Sequence, residues 1–219
     1  MISMTADAIV FIDGNNLYHN VLSMGIRPGN IDFKRFVDYA CSKLRCKWTK
    51  TIYYNSVPDI TDGDDVYYGH MKFLSEIRKI PGFEVKTRKL QKQSNDKRML
   101  EKMKEIDAQT FCSKCTPLVK EMCRECLRPS IKKEKGVDVT MAIDMLDLCA
   151  IKNECEMVVL ISGDGDFVPA LDIIERKGKE AASTFIRYGY SNALRQSHRY
   201  WTIYDEDFIL HCLREKATT

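Results

Sequence analysis

The chain has 219 residues, of which 44% are hydrophobic and 30% are charged, and this balance is typical of a globular protein with a sizeable core. The formal net charge of +3 is too small to indicate nucleic-acid binding by itself. The first apolar run, residues 8–12, ends at Asp13, which makes it too short for a signal peptide or a membrane span. Without an export signal the nine cysteines are expected to be reduced, so we predict a cytoplasmic protein with no membrane partner.

Short apolar runs alternate with amphipathic stretches in the first part of the chain. Residues 8–12 predict a strand that is buried on both faces of a sheet, and Asp-Gly-Asn-Asn at 13–16 predicts a tight turn after it. The next elements are expected in this order: helices at 17–24 and 31–44, a strand at 51–55, a helix at 65–80 and a strand at 83–90.

Residues 91–136 interrupt this alternation, and we interpret them as an insertion in a single domain that spans 1–219. The elements expected after it are a helix at 137–151, a fully apolar strand at 157–161, a helix that ends at Gly178, and strands at 181–186 and 201–204. Strands that alternate with helices predict an α/β fold whose sheet is mainly parallel and covered on both faces.

Acidic turns follow the two fully apolar strands. Asp13 ends the first strand, and Asp164 and Asp166 come directly after the other. Because ligands bind at the carboxyl ends of parallel strands, neighbouring strands would bring these three carboxylates together. Asp138, at the predicted start of a helix, is a fourth candidate, whereas Asp144 projects from a different face of that helix.

Carboxylates that lie close together repel one another, and a bound cation relieves that repulsion. Oxygen ligands favour Mg²⁺ or Mn²⁺, and either ion can activate a water for attack on a phosphodiester. Asn16 is expected to orient a water or to bind a phosphate oxygen. The alternative for each acid taken alone is a turn former or a helix N-cap, but the set after two buried strands favours a cation site.

Three ordered motifs carry a family resemblance. They are Ile9-Val-Phe-Ile-Asp-Gly-Asn-Asn16, Lys135-Gly-Val-Asp-Val139 with Asp144, and Leu160-Ile-Ser-Gly-Asp-Gly-Asp-Phe167. Together they resemble the NYN domain of the PIN-like nuclease superfamily, and the pattern is most similar to its LabA-like branch. The resemblance covers most of the chain outside the insertion. It implies a three-layer α/β/α sandwich with a parallel sheet and divalent-metal-dependent cleavage of RNA.

The resemblance also assigns roles by position. It implies that the Mg²⁺ or Mn²⁺ site is formed by Asp13, Asp138, Asp164 and Asp166, with Asn16 and Asp144 as supporting members. Residues 191–195 resemble the late Ser-x-x-Leu stretch of the family, but the Asp often found just after it is replaced here by Ser197-His198. This departure leaves the role of the late stretch open.

Several residues are candidate substrate contacts outside the acidic site. Arg187, Ser191 and Arg195 are predicted to contact RNA. Tyr188, Tyr190, Tyr200 and Trp201 are candidates for stacking on bases, although packing in an α/β core explains them equally well.

Two closely spaced cysteine pairs lie in the insertion, Cys112-x-x-Cys115 and Cys123-x-x-Cys126. Four thiolates in this pattern predict a structural Zn²⁺ knuckle, with two disulfides as the alternative. The flanks are basic, and Lys97, Arg98 and Lys102 are candidate RNA contacts that would clamp substrate beside the acidic site. The alternative for this charge is an ordinary solvated helix face.

These patterns favour a metal-dependent endoribonuclease. A catalytically silent RNA-binding regulatory protein with the same fold is the alternative, and the sequence leaves open whether a homodimer or a protein partner is involved. A phosphohydrolase of the haloacid dehalogenase type is disfavoured, because the position that its nucleophilic Asp would need is occupied by Phe11.

Overall fold

The structure is a computed structural model that describes residues 6–58, 60, 63–89, 91–93, 95–109, 111–126, 131–133, 136–187 and 189–214. Side chains at 91–93, 95–98, 124–126 and 131–133 are outside this description. The chain divides into two compact units. The first combines residues 1–88 with 136–219, and the second comprises residues 89–135.

Eight strands are described. They are β1 (Ala6–Asp13), β2 (Cys46–Val57), β3 (Phe83–Lys89), β4 (Gln91–Gln93), β5 (Ile131–Lys133), β6 (Met157–Ile161), β7 (Glu180–Ile186) and β8 (Arg199–Ile203).

The described α-helices lie between and after these strands. They are α1 (Gly14–Ser23), α2 (Phe33–Leu44), α3 (Asp64–Arg78), α4 (Asn95–Asp107), α5 (Cys115–Cys126), α6 (Val137–Met145), α7 (Val168–Arg176), α8 (Asn192–Ser197) and α9 (Asp205–Cys212). α6 continues as a π-helical segment, Leu146–Ile151, and single 3₁₀ turns lie at Pro28–Asn30 and Gly165–Phe167. None of the helices in the described ranges is long and apolar enough to span a membrane.

The first unit is built on a six-stranded parallel sheet in the order β3-β2-β1-β6-β7-β8. β1 and β6 are neighbours at its centre, with Ala8 opposite Met157 and Ile12 opposite Ile161. From β1 the chain builds outward to β3, and it then returns to β6 and builds outward to β8. In open α/β sheets, ligands bind at the carboxyl ends of the strands at such a reversal of direction.

Both faces of the sheet are buried, which explains why β1 and β6 are almost entirely apolar. Alternate side chains of β1 enter opposite clusters, with Val10 and Ile12 on one face and Ile9 and Phe11 on the other. Residues of α1, α2, α3 and α9 pack on the first face, and residues of α6 and α7 pack on the second. The predicted parallel α/β sandwich is therefore confirmed.

The predicted elements of the first unit are present, with shifted ends. β6 has the predicted bounds, whereas β2 begins earlier, at Cys46, because it pairs with β1 from Ala6 onward. Two helices lie where none was predicted, α8 and α9. α9 packs into the core through Phe208, whose ring is 5.5 Å from that of Phe36 on α2.

The second unit pairs two helices and a short antiparallel ribbon of β4 and β5. Its bounds are close to those of the predicted insertion. Cys115 is the first residue of helix α5, with Cys112 three residues before it, and Cys123 and Cys126 lie at the end of the same helix. With a rise of about 1.5 Å per residue, Cys115 and Cys123 are separated by about 12 Å along the helix axis. Four thiolates must lie about 2.3 Å from one zinc ion, so this arrangement does not support the predicted knuckle.

The described thiols of the second unit are those of Cys112, Cys115 and Cys123. Cys112 and Cys115 are exposed, and the amide of Cys115 donates to the Cys112 sulfur at 3.4 Å. Across the described parts of the chain, no group of three or more His, Cys, Asp or Glu side chains is placed to hold a metal ion. The side chain of Cys126 lies outside the description, so the complete set of four cysteines is not tested.

Candidate functional site

Asp13 occupies the point where β1 ends and α1 begins. Its Oδ1 accepts a hydrogen bond from the backbone N–H of Asn16 at 3.0 Å, which caps the helix. Its Oδ2 accepts from the Ser162 hydroxyl at 2.9 Å. The side chain is only 4% exposed, so its orientation is fixed by these bonds and by the surrounding core.

The acidic loop after β6 is built in a similar way. The amide of Asp164 donates to the Ser162 hydroxyl at 3.1 Å, and Asp164 Oδ1 accepts from the amide of Asp166 at 2.9 Å. Asp164 thereby caps the 3₁₀ turn Gly165–Phe167. Ser162 connects the two loops, because its single hydroxyl bonds both Asp13 and the amide of Asp164.

Asn16 forms a second bridge between the loops. Its Oδ1 accepts from the amide of Gly163 at 3.0 Å and from the Asn20 side-chain amide at 2.9 Å. The side-chain oxygen of Asn16 thus sets the spacing of the two acidic loops. Contact of Asn16 with substrate stays a prediction.

A third segment, residues 189–191, packs directly against the acidic loop. The amide of Ser191 donates to the carbonyl oxygen of Gly163 at 2.7 Å. A Cβ atom on Gly163 would lie 2.3 Å from the carbonyl oxygen of Gly189, and one on Gly165 would lie 2.6 Å from Ser191 Oγ. Glycine is therefore required at both positions by close approach.

Asp138 brings a fourth carboxylate to this edge of the sheet, from the first turn of α6. Burial raises the pKa of its carboxyl to about 6, and neighbouring negative charges add to the shift. Those charges belong to Asp13, Asp164 and Asp166. All four predicted acids therefore share one electrostatic environment, and ionisation of Asp138 is less favourable there than in water.

The donor set fits a hard cation that keeps part of its water shell. No three of the described acids are placed to ligate one ion together. Mg²⁺ requires fewer protein ligands, because it commonly keeps several waters and binds through one or two carboxylates together with phosphate oxygens. The mutual repulsion that raises the pKa of Asp138 is what such an ion would relieve.

Asp144 is held in a different set of contacts. Its Oδ2 accepts from the Tyr54 hydroxyl at 2.6 Å and pairs with Lys86 Nζ at 2.7 Å. Burial and the adjacent Asp144 raise the pKa of Tyr54, so its hydroxyl stays a donor. The network joins α6 to β2 and β3, and the sequence did not indicate Lys86 or Tyr54 as partners of this acid.

The late stretch has a structural role that its sequence did not reveal. Ser191 Oγ accepts from the amide of Ala193 at 3.2 Å and caps α8. His198, which stands near the position of the missing acid, is fully buried between two carboxylates of α7. Its Nε2 is 3.1 Å from Asp172 Oδ1, and its Nδ1 is 3.2 Å from Glu175 Oε2.

The remaining predicted RNA contacts are dispersed. The guanidinium of Arg195 lies over two tyrosine rings, those of Tyr190 and Tyr200. The amide of Arg187 donates to the carbonyl of Ile203 at 3.0 Å, and its side chain is exposed. In the second unit, Lys102 forms an exposed ion pair with Glu105 at 2.7 Å. The side chains of Lys97 and Arg98, and all of Tyr188, lie outside the description.

Comparisons with known proteins give one family and one fold neighbour. The family model of the NYN domain matches residues 7–204. A solved structure of a protein of unknown function from Vibrio parahaemolyticus is similar, with a TM-score of 0.52 and 17% identity, over 97% of this chain and 99% of that chain. At this identity the likeness concerns the fold alone. No curated protein matches the sequence.

Proposed function

The chain belongs to the NYN domain family, and on that premise we propose that it is a metal-dependent ribonuclease that hydrolyses RNA phosphodiester bonds. The proposal is carried by Asp13, Asp138, Asp164 and Asp166, which share one electrostatic environment at the switch point of the parallel sheet. Placement in the LabA-like branch and an endonucleolytic mode are parts of the same proposal.

The residues of the site have distinct tasks in this mechanism. Bound Mg²⁺ or Mn²⁺ would supply Lewis acidity and a lowered pKa for the attacking water. Asp13 and Asp164 hold fixed orientations through their hydrogen bonds to Ser162, Asn16 and Asp166. Carboxylates with fixed orientations would hold the cation in place, so that little reorganisation is needed when negative charge develops on the phosphate. Hydrolysis would leave a 5′-phosphate and a 3′-hydroxyl.

The test is cleavage of RNA by the full chain in MnCl₂. We expect wild-type protein to cut RNA and both Asp13→Asn and Asp164→Asn to lose at least about 100-fold in rate, because each removes a carboxylate from the cation site. Asp147→Asn is a matched control, since this partly exposed acid pairs with Lys152 near the far end of the same helical stretch as Asp138. Equal rates for the wild type and both site variants would refute the assignment.

A catalytically silent RNA-binding protein is the second candidate. It is favoured by the absence, among the described side chains, of three acids placed to share an ion. RNA binding without cleavage in either Mg²⁺ or Mn²⁺ would identify this alternative.

The proposed compartment is the cytoplasm. The described cysteines are free thiols, including the buried Cys41, Cys46, Cys149 and Cys155, as expected in a reducing environment.

A further inference from the structure

A surface of aromatic and cationic side chains begins beside the acidic loop and has no task in the proposed hydrolysis. The ring of Tyr190 stacks on Phe185 with 4.7 Å between centroids, and Phe185 stacks on Tyr200 at 5.7 Å. The guanidinium of Arg195 lies 5.5 Å from the centroid of each tyrosine ring. Its Nη1 also donates to the Tyr190 hydroxyl at 3.1 Å. We call Tyr190, Arg195 and Tyr200 the stacking platform.

The platform is accessible, although its base is buried. Phe185 is 2% exposed, whereas Tyr200 is 37% exposed and Arg195 lies at the surface. Burial of Phe185 explains why the two tyrosines pack on it. It does not explain why an exposed guanidinium is held over both rings, where it adds a flat cationic group to the aromatic surface.

Trp201, the next residue along β8, belongs to the opposite face. It packs with the cluster that contains the residues of α2, and Lys43 lies 5.1 Å from its ring centroid. Side chains alternate along a strand, so Tyr200 alone of this pair shares a face with Phe185. Of the described aromatic residues that the sequence marked for stacking, Tyr190 and Tyr200 therefore contact Phe185, whereas Trp201 lies on the other face.

The platform starts within one residue of the acidic site. A Cβ atom on Gly163 would lie 2.8 Å from the Cα of Tyr190, and Gly163 directly precedes Asp164. The amide of Ser191 donates a hydrogen bond to the carbonyl oxygen of Gly163 at 2.7 Å, which holds the two backbone segments together. The backbone of Tyr190 is therefore directly beside the loop that carries Asp164.

We propose that the stacking platform binds an unpaired nucleobase of single-stranded RNA and so holds the neighbouring phosphate at the acidic site. The proposal rests on the proposed ribonuclease function. Bases stack on aromatic rings and on arginine planes with little sequence preference, and each such contact contributes about 5- to 150-fold in affinity. A base inside a duplex cannot reach such a surface, so the platform selects unpaired RNA.

The test measures affinity separately from cleavage. A labelled single-stranded RNA of about 12 nucleotides and mixed sequence is titrated with the full chain in EDTA, and binding is followed by fluorescence anisotropy. We expect Tyr200→Ala to weaken binding by at least about 5-fold and Tyr200→Phe to retain it. Tyr68→Ala is the matched control, because Tyr68 is a 60% exposed tyrosine on α3 outside the platform.

Arg195→Lys separates stacking from simple charge attraction. Lysine keeps the positive charge but lacks a planar group that stacks. If Arg195 stacks on a base, Arg195→Lys should lower the RNA affinity by about 5-fold or more, whereas a contact with phosphate alone predicts an unchanged affinity. Thermal unfolding of each variant shows whether it is folded. If Tyr200→Ala unfolds the protein, Arg195→Lys at its exposed position still tests the proposal.

The outcomes distinguish base stacking on the platform from RNA cleavage at the acidic site. Losses for Tyr200→Ala and Arg195→Lys, with Tyr200→Phe and Tyr68→Ala unchanged, support the platform. Wild-type affinity for folded Tyr200→Ala and Arg195→Lys, or equal affinity for single-stranded and duplex RNA, overturns it. If the wild type binds but does not cut RNA in Mn²⁺, only the ribonuclease proposal fails, and absence of any RNA binding overturns both.

Discussion

Ser162 is a small side chain on which two acids depend. Its hydroxyl is the donor to Asp13 and the acceptor for the amide of Asp164, and the side chain is almost fully buried. Groups that orient metal-site carboxylates typically affect metal affinity or activity by about 10- to 100-fold when they are removed. The residue therefore positions the site without needing to touch substrate.

We expect Ser162→Ala to lower RNA cleavage by about 10- to 100-fold while the fold persists. The measurement is the rate in saturating Mn²⁺ together with the Mn²⁺ concentration for half-maximal activity. Ser183→Ala is the control, since Ser183 is a buried serine on β7 whose hydroxyl has no hydrogen-bond partner in the described structure. A Ser162→Ala enzyme with wild-type rate and metal dependence would contradict the positioning role.

Asp138 connects the site to pH-dependent stability. Its pKa is raised from 3.8 to about 6 in the folded protein, so the folded state binds the proton more tightly than the unfolded state. Its contribution to stability is therefore present at low pH and is lost as the pH rises through about 6. At neutral pH without metal, the ionised carboxylate destabilises the fold.

We expect Asp138→Asn to raise the free energy of unfolding in EDTA at about pH 8 by about 1 kcal/mol, after allowance for solvent exposure of the half-buried side chain. The gain should shrink as the pH is lowered to about 5, because the wild-type carboxyl then becomes neutral. Urea unfolding at both pH values measures this difference. A variant that is no more stable than the wild type at the higher pH would show that the carboxylates do not repel as described.

At the scale of elements, three segments meet at the carboxyl ends of β1, β6 and β7. The loop that begins at Asp13 is joined to the loop at 162–166 by Ser162 and Asn16, and the segment 189–191 closes on the latter loop. Gly163 lies where the second and third segments touch. Its lack of a side chain is what permits their contact.

We expect Gly163→Ala to reduce the free energy of unfolding by about 1–3 kcal/mol, because the added methyl would overlap the backbone at Gly189 and Tyr190. Cleavage should fall as well, since the displaced loop carries Asp164. Gly69→Ala provides the control. Gly69 is on the exposed side of α3, where a Cβ atom meets nothing within 4 Å and alanine favours the helix. Equal stability of Gly163→Ala and the wild type would mean that the segments are not in tight contact.

At the scale of the whole molecule, the buried core and the acidic site belong to the first unit. Of the buried hydrophobic residues described, Ile106 alone lies within residues 89–135. The two chain ends of the insertion leave the first unit near one another, since the Arg88 guanidinium donates to Thr140 Oγ1 at 2.9 Å. The first unit thus has the packing needed to fold when a short linker replaces the second.

Replacement of residues 91–133 by a flexible linker of about 10 Gly and Ser residues should leave the unfolding midpoint within a few degrees of wild type. RNA affinity should fall at physiological salt, because lysines and arginines that attract phosphate are removed. Calorimetry and RNA binding by the linker variant measure the two effects. Loss of cooperative unfolding would show that the second unit supports the core.

Periodicity and composition determined much of this protein without coordinates. The apolar runs at 8–12 and 157–161 form the central strands, because a strand that is buried on both faces needs apolar side chains at successive positions. The acids that follow these strands could be predicted to lie at one edge of the sheet from position alone, since parallel strands end at one edge. The alternation of strands and helices stops at residue 91, which is why the sequence predicted an insertion there.

Tertiary structure alone decided which partners the polar residues meet. The Cys-x-x-Cys spacing named four potential zinc ligands, but the continuous helix α5 separates the pairs. Asp144 resembled a site acid and was found beside Lys86 and Tyr54, and Asn16 was found between two loops. A sequence specifies the chemistry of each side chain and its local direction, whereas distances between side chains remote in the chain arise only when the layers pack. For that reason the acids could be named from the sequence, but the hydroxyl and amide that orient them could not.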